Sequence, residues 1–345
     1  MNVHGVPHRS LREAPDGGAI LAVDQTRLPG EFLECRLGSI GDVADAITAM
    51  RVRGAPLIGI AAAYGLALAL RDDPSDAGLD RATDLLGATR PTAVNLAWAL
   101  DRVGEMVRPL PPPVRAEAAW RSAGAIAESE VAACLAIGRH GAELLRRLER
   151  PAGRALQILT HCNAGWLATV DWGTALAPIY RLHDAGVPVH VWVSETRPRN
   201  QGLLTAWELG AHGVPFTVIA DNAAGHLLAR RNVDAVLVGA DRITRSGDVG
   251  NKIGTLLKAL AAREFRVPFY VAAPLSTVDL SIRDGASIPI EERSPGEVVG
   301  TSTLPAINPG FDVTPASFVT AIITERGVAA ATEAALAALR AGDSA

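Results

Sequence analysis

Cysteine, aromatic residues and long apolar runs are all scarce in this sequence. The 345 residues include three cysteines, Cys35, Cys134 and Cys162. They are too few and too scattered for a disulfide framework or a zinc site, so a reducing compartment is the simpler expectation. The longest apolar run, residues 55–70, is shorter than the ~20 residues needed to span a bilayer and indicates a buried helix. With no signal-peptide pattern at the start of the sequence, we expect a cytoplasmic protein that has no membrane partner.

A net positive charge and cofactor motifs are also lacking. The formal charge is −4, while 48% of residues are hydrophobic and 20% are charged, as in an ordinary globular protein. This balance predicts no attraction to nucleic acid, and an anionic substrate would need a local cluster of donors. The sequence contains neither a GxGxxG pattern after a strand nor a Walker A, HExxH or GxSxG motif. The eight histidines show no ligand spacing, so we expect neither a metal nor another cofactor.

The pattern of the chain changes near residue 150. Residues 1–150 are mainly helical in pattern, with short strands between Asp24 and Leu37. Residues 151–345 alternate apolar runs with amphipathic segments, which is typical of a parallel sheet covered by helices on both faces. We therefore predict an α/β protein in which a smaller, mainly helical N-terminal domain precedes a Rossmann-like C-terminal domain. The predicted strands are 155–159, 187–193, 215–219, 235–238 and 268–272.

Four local patterns predict helices. Ser39 is a suitable cap for a helix that carries Val43, Ile47 and Met50 on one face. Pro91 can open a helix that runs through Met106. Residues 115–148 are rich in strong helix formers. A fourth helix should begin at Asn251 and Lys252, with residues 253, 256, 257 and 260 on its apolar face.

Reactive side chains follow the predicted strands, where open parallel sheets bind their ligands. Cys162 comes just after the first strand and, by expectation, near a helix start, where a thiol loses its proton more easily. An inert buried cysteine is the alternative. Asp241 follows the fourth strand, and a desolvated carboxyl group there would suit a general acid. A helix cap or an ion pair with Arg242 is the alternative for Asp241.

Three predicted helix starts carry groups that suit an anion. Arg53, Gly54 and Ala55 precede the apolar helix, Arg90 lies just before Pro91, and Asn251 and Lys252 follow Gly250. Free N–H groups and the helix dipole attract phosphate at such positions. The pattern leaves open whether Arg51 or Arg53 takes part. We expect a phosphate-bearing small molecule as the ligand.

Seven segments together resemble the methylthioribose-1-phosphate isomerase family. They occur in that family's order, between about residues 24 and 328. The segments are RVRGAPLIG (51–59), TRPTAVNLAWAL (89–100), ILTHCNAG (158–165), ETRPRNQG (195–202), GADRI (239–243), GDVGNKIGT (247–255) and NPGFDVTP (308–315).

The resemblance implies an aldose–ketose isomerase that converts S-methyl-5-thioribose 1-phosphate into the 1-phosphoribulose in methionine salvage. It implies Cys162 and Asp241 as the catalytic pair, and it selects Arg53 over Arg51. It also implies a homodimer that uses neither metal nor nucleotide. The implied substrate-binding residues are Arg53, Gly54, Ala55, Arg90, Gln201, Asn251 and Lys252.

Two departures from the family pattern bear on substrate identity. Trp166 and residues 170–172 are bulkier than the residues associated with the family after the cysteine motif, and Gly250 is smaller than in some relatives. The alternatives are an isomerase of 5-deoxyribose 1-phosphate or of ribose 1,5-bisphosphate. An alternative of another class is a non-catalytic regulatory subunit related to a translation initiation exchange factor.

Overall fold

The computed structural model describes residues 1–3 and 5–341. By internal contacts the chain forms two compact units. The larger unit comprises Met1–Pro7, Ala133–Gly165 and Trp172–Ala345, and the smaller unit comprises His8–Ala132 and Trp166–Asp171. A domain boundary at residue 150 stays a prediction, and residues 342–345 of the predicted second domain lie outside the described residues.

Five strands and then five helices occupy residues 2–146, and strands and helices alternate over residues 156–238. The helices are α1 (Ile40–Thr48), α2 (Ala55–Asp72), α3 (Asp76–Gly87), α4 (Val94–Val107), α5 (Pro112–Arg146), α6 (Ala177–Asp184), α7 (Gly202–His212), α8 (Ala223–Ala229), α9 (Thr255–Glu264), α10 (Gly296–Val299) and α11 (Glu333–Ala341). The strands are β1 (Asn2–Val3), β2 (Val6–Pro7), β3 (Leu11–Glu13), β4 (Ile20–Val23), β5 (Glu34–Leu37), β6 (Leu156–Thr160), β7 (Val189–Ser194), β8 (Phe216–Ile219), β9 (Ala235–Val238), β10 (Arg242–Thr244), β11 (Val249–Lys252), β12 (Phe269–Ala272), β13 (Val278–Asp279), β14 (Phe311–Thr314), β15 (Ala321–Thr324) and β16 (Gly327–Ala329).

The smaller unit combines helices α1 to α4 with a three-stranded antiparallel sheet, β3-β4-β5. Ser39 caps α1 as predicted, because its side chain accepts from the Asp42 amide while the Asp42 carboxylate accepts from the Ser39 amide. Helix α2 is apolar all round. Of the helices in the described ranges, it is the one long and apolar enough to cross a membrane by length and composition. Its residues are mostly buried inside the fold, as a core helix requires.

The larger unit is built on a seven-stranded sheet in the order β16-β15-β12-β9-β6-β7-β8. The neighbouring strands of the series β15-β12-β9-β6-β7-β8 all pair in parallel, and β16 pairs antiparallel with β15 at one edge. All five predicted strands are present, and the α/β class with a mainly parallel sheet is confirmed. Residues of β9 and β12, such as Val236, Val238 and Val271, are fully buried with helix residues such as Leu228 and Ala259 in one apolar core.

A second, four-stranded sheet, β13-β10-β11-β14, corrects two predictions. Asn251 and Lys252 do not open a helix but end strand β11, and α9 begins three residues later at Thr255. Leu257 and Leu260 were expected on the apolar face of that helix, but 65% and 43% of their surfaces are exposed. The buried face of α9 is instead formed by Thr255, Lys258, Ala259 and Ala262.

The start of α4 also differs from the prediction. Pro91 lies in a turn closed by a bond from the Ala93 amide to the Arg90 carbonyl oxygen, and the helix begins at Val94. A proline disfavours the helical backbone conformation in the residue before it. Arg90 precedes Pro91 and therefore stays outside the helix.

Candidate active site

The candidate catalytic residues follow two neighbouring strands. Strands β6 and β9 pair in parallel with Leu159 opposite Val236, so the segments after both strands leave the same edge of the sheet. The segments also touch, since a Cβ atom on Gly239 would lie 2.7 Å from the Cβ atom of Ala164. Cys162 and Asp241 lie in these two segments, and both are partly buried. Both residues therefore lie at the same edge of the sheet, and their role as a catalytic pair stays a prediction.

The main chain of Cys162 adopts a conformation that was not expected. Its φ is +65°, in the left-handed region that residues with a Cβ atom rarely adopt. The next α-helix begins at Ala177, so Cys162 does not lie at a helix N-terminus as predicted. A helix start therefore does not activate this thiol, and other groups must control its position and reactivity.

His161 joins the Cys162 segment to the end of β11. Its Nε2 lies 2.8 Å from the Ile253 carbonyl oxygen, and since a carbonyl only accepts, Nε2 carries the proton. Burial and the nearby Lys258 ammonium group lower the pKa of His161 to about 3. The ring is therefore neutral near pH 7. The Asp241 amide donates to the Gly250 carbonyl oxygen at 3.0 Å, so both candidate catalytic segments are fixed to residues of β11 or the residue after it.

The half-buried Asp221 and the buried Lys258 form a charged pair beside His161. Lys258 Nζ lies 3.9 Å from Asp221 Oδ1, and His161 Nδ1 lies 3.8 Å from the same oxygen. Burial lowers the pKa of Lys258 to about 8, against the attraction of Asp221 and Asp312. Burial alone would raise the pKa of Asp221, but hydrogen bonds from Ser194 and from the amides of residues 197 and 196 bring it below its ordinary value. The pair thus places opposite charges beneath the Cys162 segment.

Asp312 caps helix α9 from strand β14. Its carboxylate accepts from the amides of Gly254 and Leu256 at 2.7 and 3.1 Å. Burial raises the pKa of Asp312 to about 6, although these amide bonds oppose the rise. The chain has two lysines, Lys252 and Lys258, and both are buried, with 8% and 2% of their surfaces exposed.

Gln201, Asn251 and Lys252 are also buried in the larger unit. Asn251 Nδ2 donates to Thr255 Oγ1 at 3.0 Å. Gln201 and Lys252 line a small cavity with Arg293, Glu297 and Asn308, whose walls also include Pro309. Within the described ranges, Gln201 Oε1 is a buried acceptor that has no hydrogen-bond partner. A buried acceptor of this kind suits a ligand that can donate a hydrogen bond.

Glu297 ties the segment 293–310 to the start of α7. It accepts from Arg199 at 2.7 Å and from Arg293 at 2.9 Å, and Asn308 donates to it at 3.0 Å. Burial alone would raise the pKa of Glu297, but these bonds lower it to about 2. Arg197 donates to the Val298 carbonyl oxygen. The two arginines of the ETRPRNQG segment therefore hold α10 and its neighbours.

The smaller unit holds the remaining predicted residues, at the starts of α2 and α4. Gly54 precedes α2 with φ +101°, and a Cβ atom there would lie 2.5 Å from the main chain of Ala168, so the position requires glycine. The first turns of α2 and α4 are close, because a Cβ atom on Gly59 would lie 2.4 Å from the Asn95 carbonyl oxygen. Arg53 and Ala55 flank Gly54, and Arg90 precedes α4 by four residues. Two helix N-termini and two arginines thus belong to one end of this helix pair.

Sequence reasoning assigned no role to several polar residues around the site. They are the buried Thr196, Thr205, Glu208 and Lys258 and the half-buried Asp221. A usable signal existed for Lys258, because it shares a helical face with Thr255, Ala259 and Ala262 in a spacing of three and four residues. Glu208 likewise stands between apolar neighbours in α7. A charged residue on a small or apolar helix face indicates a buried polar network.

The described residues contain no group of three or more His, Cys, Asp or Glu side chains that could hold a metal ion. What the edge of the sheet does offer is a thiol, a carboxyl group and buried hydrogen-bonding side chains. Such a set can transfer protons within a bound molecule while holding it in place.

Comparison with known proteins gives one consistent result. Residues 51–331 match the model of the Initiation factor 2 subunit family. The chain is 59% identical to the methylthioribose-1-phosphate isomerase of Methylobacterium nodulans, and the match covers 97% of each chain. Its fold is similar to the crystal structure of 5-methylthioribose 1-phosphate isomerase from Pyrococcus horikoshii, with a TM-score of 0.86, 41% identity and coverage of 97% and 96%. It is also similar to translation initiation factor eIF-2B, subunit delta, from A. fulgidus, with a TM-score of 0.79, 39% identity and coverage of 94% and 96%.

Proposed function

Since this chain belongs to the Initiation factor 2 subunit family, and within it to the methylthioribose-1-phosphate isomerases, we propose that it isomerises S-methyl-5-thioribose 1-phosphate to S-methyl-5-thioribulose 1-phosphate in methionine salvage. Cys162 and Asp241 are the proposed catalytic pair. The observation that carries this assignment is their position in touching segments after the paired strands β6 and β9.

The reaction defines what the two groups must do. The anomeric phosphate prevents spontaneous opening of the furanose ring, so the ring opens with the phosphate attached and a hydrogen then moves from C2 to C1. In our proposal Asp241 handles the proton of the ring oxygen or the C2 hydroxyl group. Cys162 either removes the carbon-bound proton by an enediol route or stabilises a cationic opened form during a hydride shift. Deuterium incorporation at C1 in deuterated water distinguishes the routes, because a pure hydride shift incorporates none.

The proposed substrate-binding residues are of two kinds. Some have a side chain with an amide, ammonium or guanidinium group, and the others offer main-chain N–H groups at a helix start. The amides at the start of α2, which follows Gly54, suit a phosphate. Because Gln201 Oε1 has no hydrogen-bond partner among the described residues, we assign Gln201 the role of accepting a hydrogen bond from a hydroxyl group of the sugar. The full set is Arg53, Gly54, Ala55, Arg90, Gln201, Asn251 and Lys252.

Substitution of the catalytic pair tests the proposal. Cys162→Ser and Asp241→Asn keep the size of each side chain and remove its acid–base function. We expect each to lower kcat by about 10²- to 10⁴-fold, the range typical of acid–base groups, while the melting temperature stays near that of the unmutated protein. Cys35→Ser is the matched control, since Cys35 lies on β5 in the smaller unit. Full activity of either catalytic variant contradicts the assignment.

The alternative sugars make different demands. Ribose 1,5-bisphosphate needs extra cations for its second phosphate, and the candidates Arg197 and Arg199 are already engaged with Val298 and Glu297. This engagement favours an uncharged 5-substituent. Values of kcat/KM for the methylthio, 5-deoxy and 5-phospho sugars, measured side by side, should follow that order of preference, with the bisphosphate last.

A non-catalytic regulatory role is the second candidate, favoured by the likeness to the A. fulgidus protein named as an initiation factor subunit. Identity to the isomerase of M. nodulans is higher, at 59% against 39%. Turnover by the purified chain alone decides between the two functions. We further propose a cytoplasmic homodimer.

A further inference from the structure

Two threonine hydroxyl groups hold the main chain of Cys162 from opposite sides. The Cys162 amide donates to Thr196 Oγ1 at 2.9 Å, and Thr205 Oγ1 donates to the Cys162 carbonyl oxygen at 2.8 Å. We call Thr196 and Thr205 the threonine clamp. Both are fully buried. They come from different elements, since Thr196 follows β7 and Thr205 lies in α7.

The clamp bears on the left-handed conformation of Cys162. A residue with a Cβ atom persists at φ +65° only when its surroundings hold it there. Main-chain direction fixes the Cα–Cβ bond, and this bond fixes the volume that the sulfur atom can reach. Bonds to both the amide and the carbonyl group of Cys162 therefore limit where its thiol can lie.

Thr205 is itself held by a buried polar network. Asn163 Nδ2 donates to Thr205 Oγ1 at 3.2 Å and to Glu208 Oε1 at 2.9 Å. Glu208 is fully buried and accepts from the Tyr180 hydroxyl group at 3.0 Å. Residues 205 and 208 are three apart in α7 and so share a face. A Cβ atom on Gly165 would lie 1.8 Å from Glu208 Oε2, so the Cys162 segment closes directly over this carboxylate.

Thr196 is fixed as firmly as Thr205. Its amide donates to Asp221 Oδ1 at 2.8 Å, and its hydroxyl group donates to the Ser194 carbonyl oxygen at 2.9 Å. The hydroxyl oxygen also accepts a hydrogen bond from the Cys162 amide. Each half of the clamp is thus connected to a carboxylate, the half-buried Asp221 on one side and the fully buried Glu208 on the other.

We propose that Thr196 and Thr205 are positioning residues for the Cys162 thiol and that they act through its main chain. The inference rests on the proposed function, because it assumes that Cys162 reacts with the substrate. A merely structural role would require only that the two hydroxyl groups satisfy buried main-chain atoms. A positioning role requires in addition that loss of either hydroxyl group changes thiol chemistry.

The test compares Thr205→Val with Thr205→Ser. Valine keeps the shape and removes the hydroxyl group, whereas serine keeps the hydroxyl group. Thr324→Val is the matched control, since Thr324 is also fully buried and its hydroxyl group also donates to a carbonyl oxygen, that of Gly327 beyond the end of β15. The measurements are kcat, KM, the melting temperature and the pH profile of Cys162 alkylation by iodoacetamide, followed by peptide mass spectrometry.

We expect Thr205→Val to lower kcat by about 10- to 100-fold, the loss that a displacement of order 1 Å can cause, with little change in KM. Its alkylation profile should differ from that of the unmutated protein, whereas Thr205→Ser should restore both. Thr324→Val should lower only the melting temperature. An unchanged kcat and alkylation profile in Thr205→Val overturns the proposal, as does an equal loss of kcat in Thr324→Val.

Two further arms keep the result interpretable. If Thr205→Val does not fold, Thr196→Val and Thr196→Ser provide the same comparison on the other half of the clamp. If the unmutated protein shows no isomerase turnover, the proposed function fails, but the alkylation profiles still report whether the clamp sets the state of the thiol. The two failures are therefore distinguishable.

Discussion

A neutral histidine stands directly before the candidate catalytic cysteine and links the stability of the fold to pH. The pKa of His161 falls from 6.5 to about 3 on folding, chiefly through burial. Between these two values the unfolded chain binds a proton that the folded protein excludes, so stability is lost as the pH drops below about 6.5. His161→Gln removes the titration and keeps an N–H donor for the Ile253 carbonyl oxygen. We expect the melting temperature of this variant to fall less steeply with acid.

The comparison isolates His161, since both proteins retain Asp312, which acts in the opposite direction. Burial raises the pKa of Asp312 from 3.8 to about 6, so its contribution favours the folded state at lower pH within that window. Melting temperatures measured in parallel at several pH values between 7 and 4 give the difference. Identical slopes for the two proteins would show that His161 titrates as it does in the unfolded chain.

At the residue scale, sequence patterns located the candidate groups but not what holds them. Cys162 and Asp241 follow apolar runs, and the parallel-sheet rule predicts that they meet at one edge. The bonds that hold the left-handed backbone of Cys162 come from Thr196 and Thr205, which lie 34 and 43 positions further along the chain. No local pattern encodes such contacts, because they depend on how the whole sheet and α7 assemble.

At the scale of elements, the start of α2 depends on one glycine. Gly54→Ala would place a Cβ atom 2.5 Å from the Ala168 main chain at φ +101°. We expect a loss of about 2 to 5 kcal/mol in the free energy of unfolding, from backbone strain and overpacking together. Gly153→Ala is the matched control, since Gly153 has φ +77° but open space around it. Chemical denaturation of the two variants should separate the effect of backbone strain, which both share, from that of the close contact with Ala168. Equal losses in the free energy of unfolding would contradict a contribution from that contact.

Elements with a clear apolar or capping pattern were predictable, and strands without such a pattern were not. The buried runs of the parallel sheet and the capping pattern at Ser39 gave correct elements. Strand β11 escaped prediction because its sequence, VGNK, contains no apolar alternation, and its residues are buried by sheet pairing on both sides. Leu257 and Leu260 show the opposite error. The spacing of the leucines predicted a buried helix face, but that face is exposed.

For the whole molecule, the proposed homodimer is the property to measure. Light scattering coupled to size-exclusion chromatography should give twice the chain mass at micromolar concentration, and the value should persist on dilution if the interface is obligate. Kinetic constants collected over the same dilution series would show whether assembly and activity change together. A single-chain mass at all concentrations would contradict the homodimer.

The burial of Lys252 and Lys258 has a practical consequence for chemical labelling. Arginine supplies nearly all of the positive side-chain charge, and both primary amines of the side chains lie inside the fold. Succinimidyl esters and other acylating reagents would therefore find few lysine targets on the native surface. Uptake of label by either lysine would report that the interior had opened.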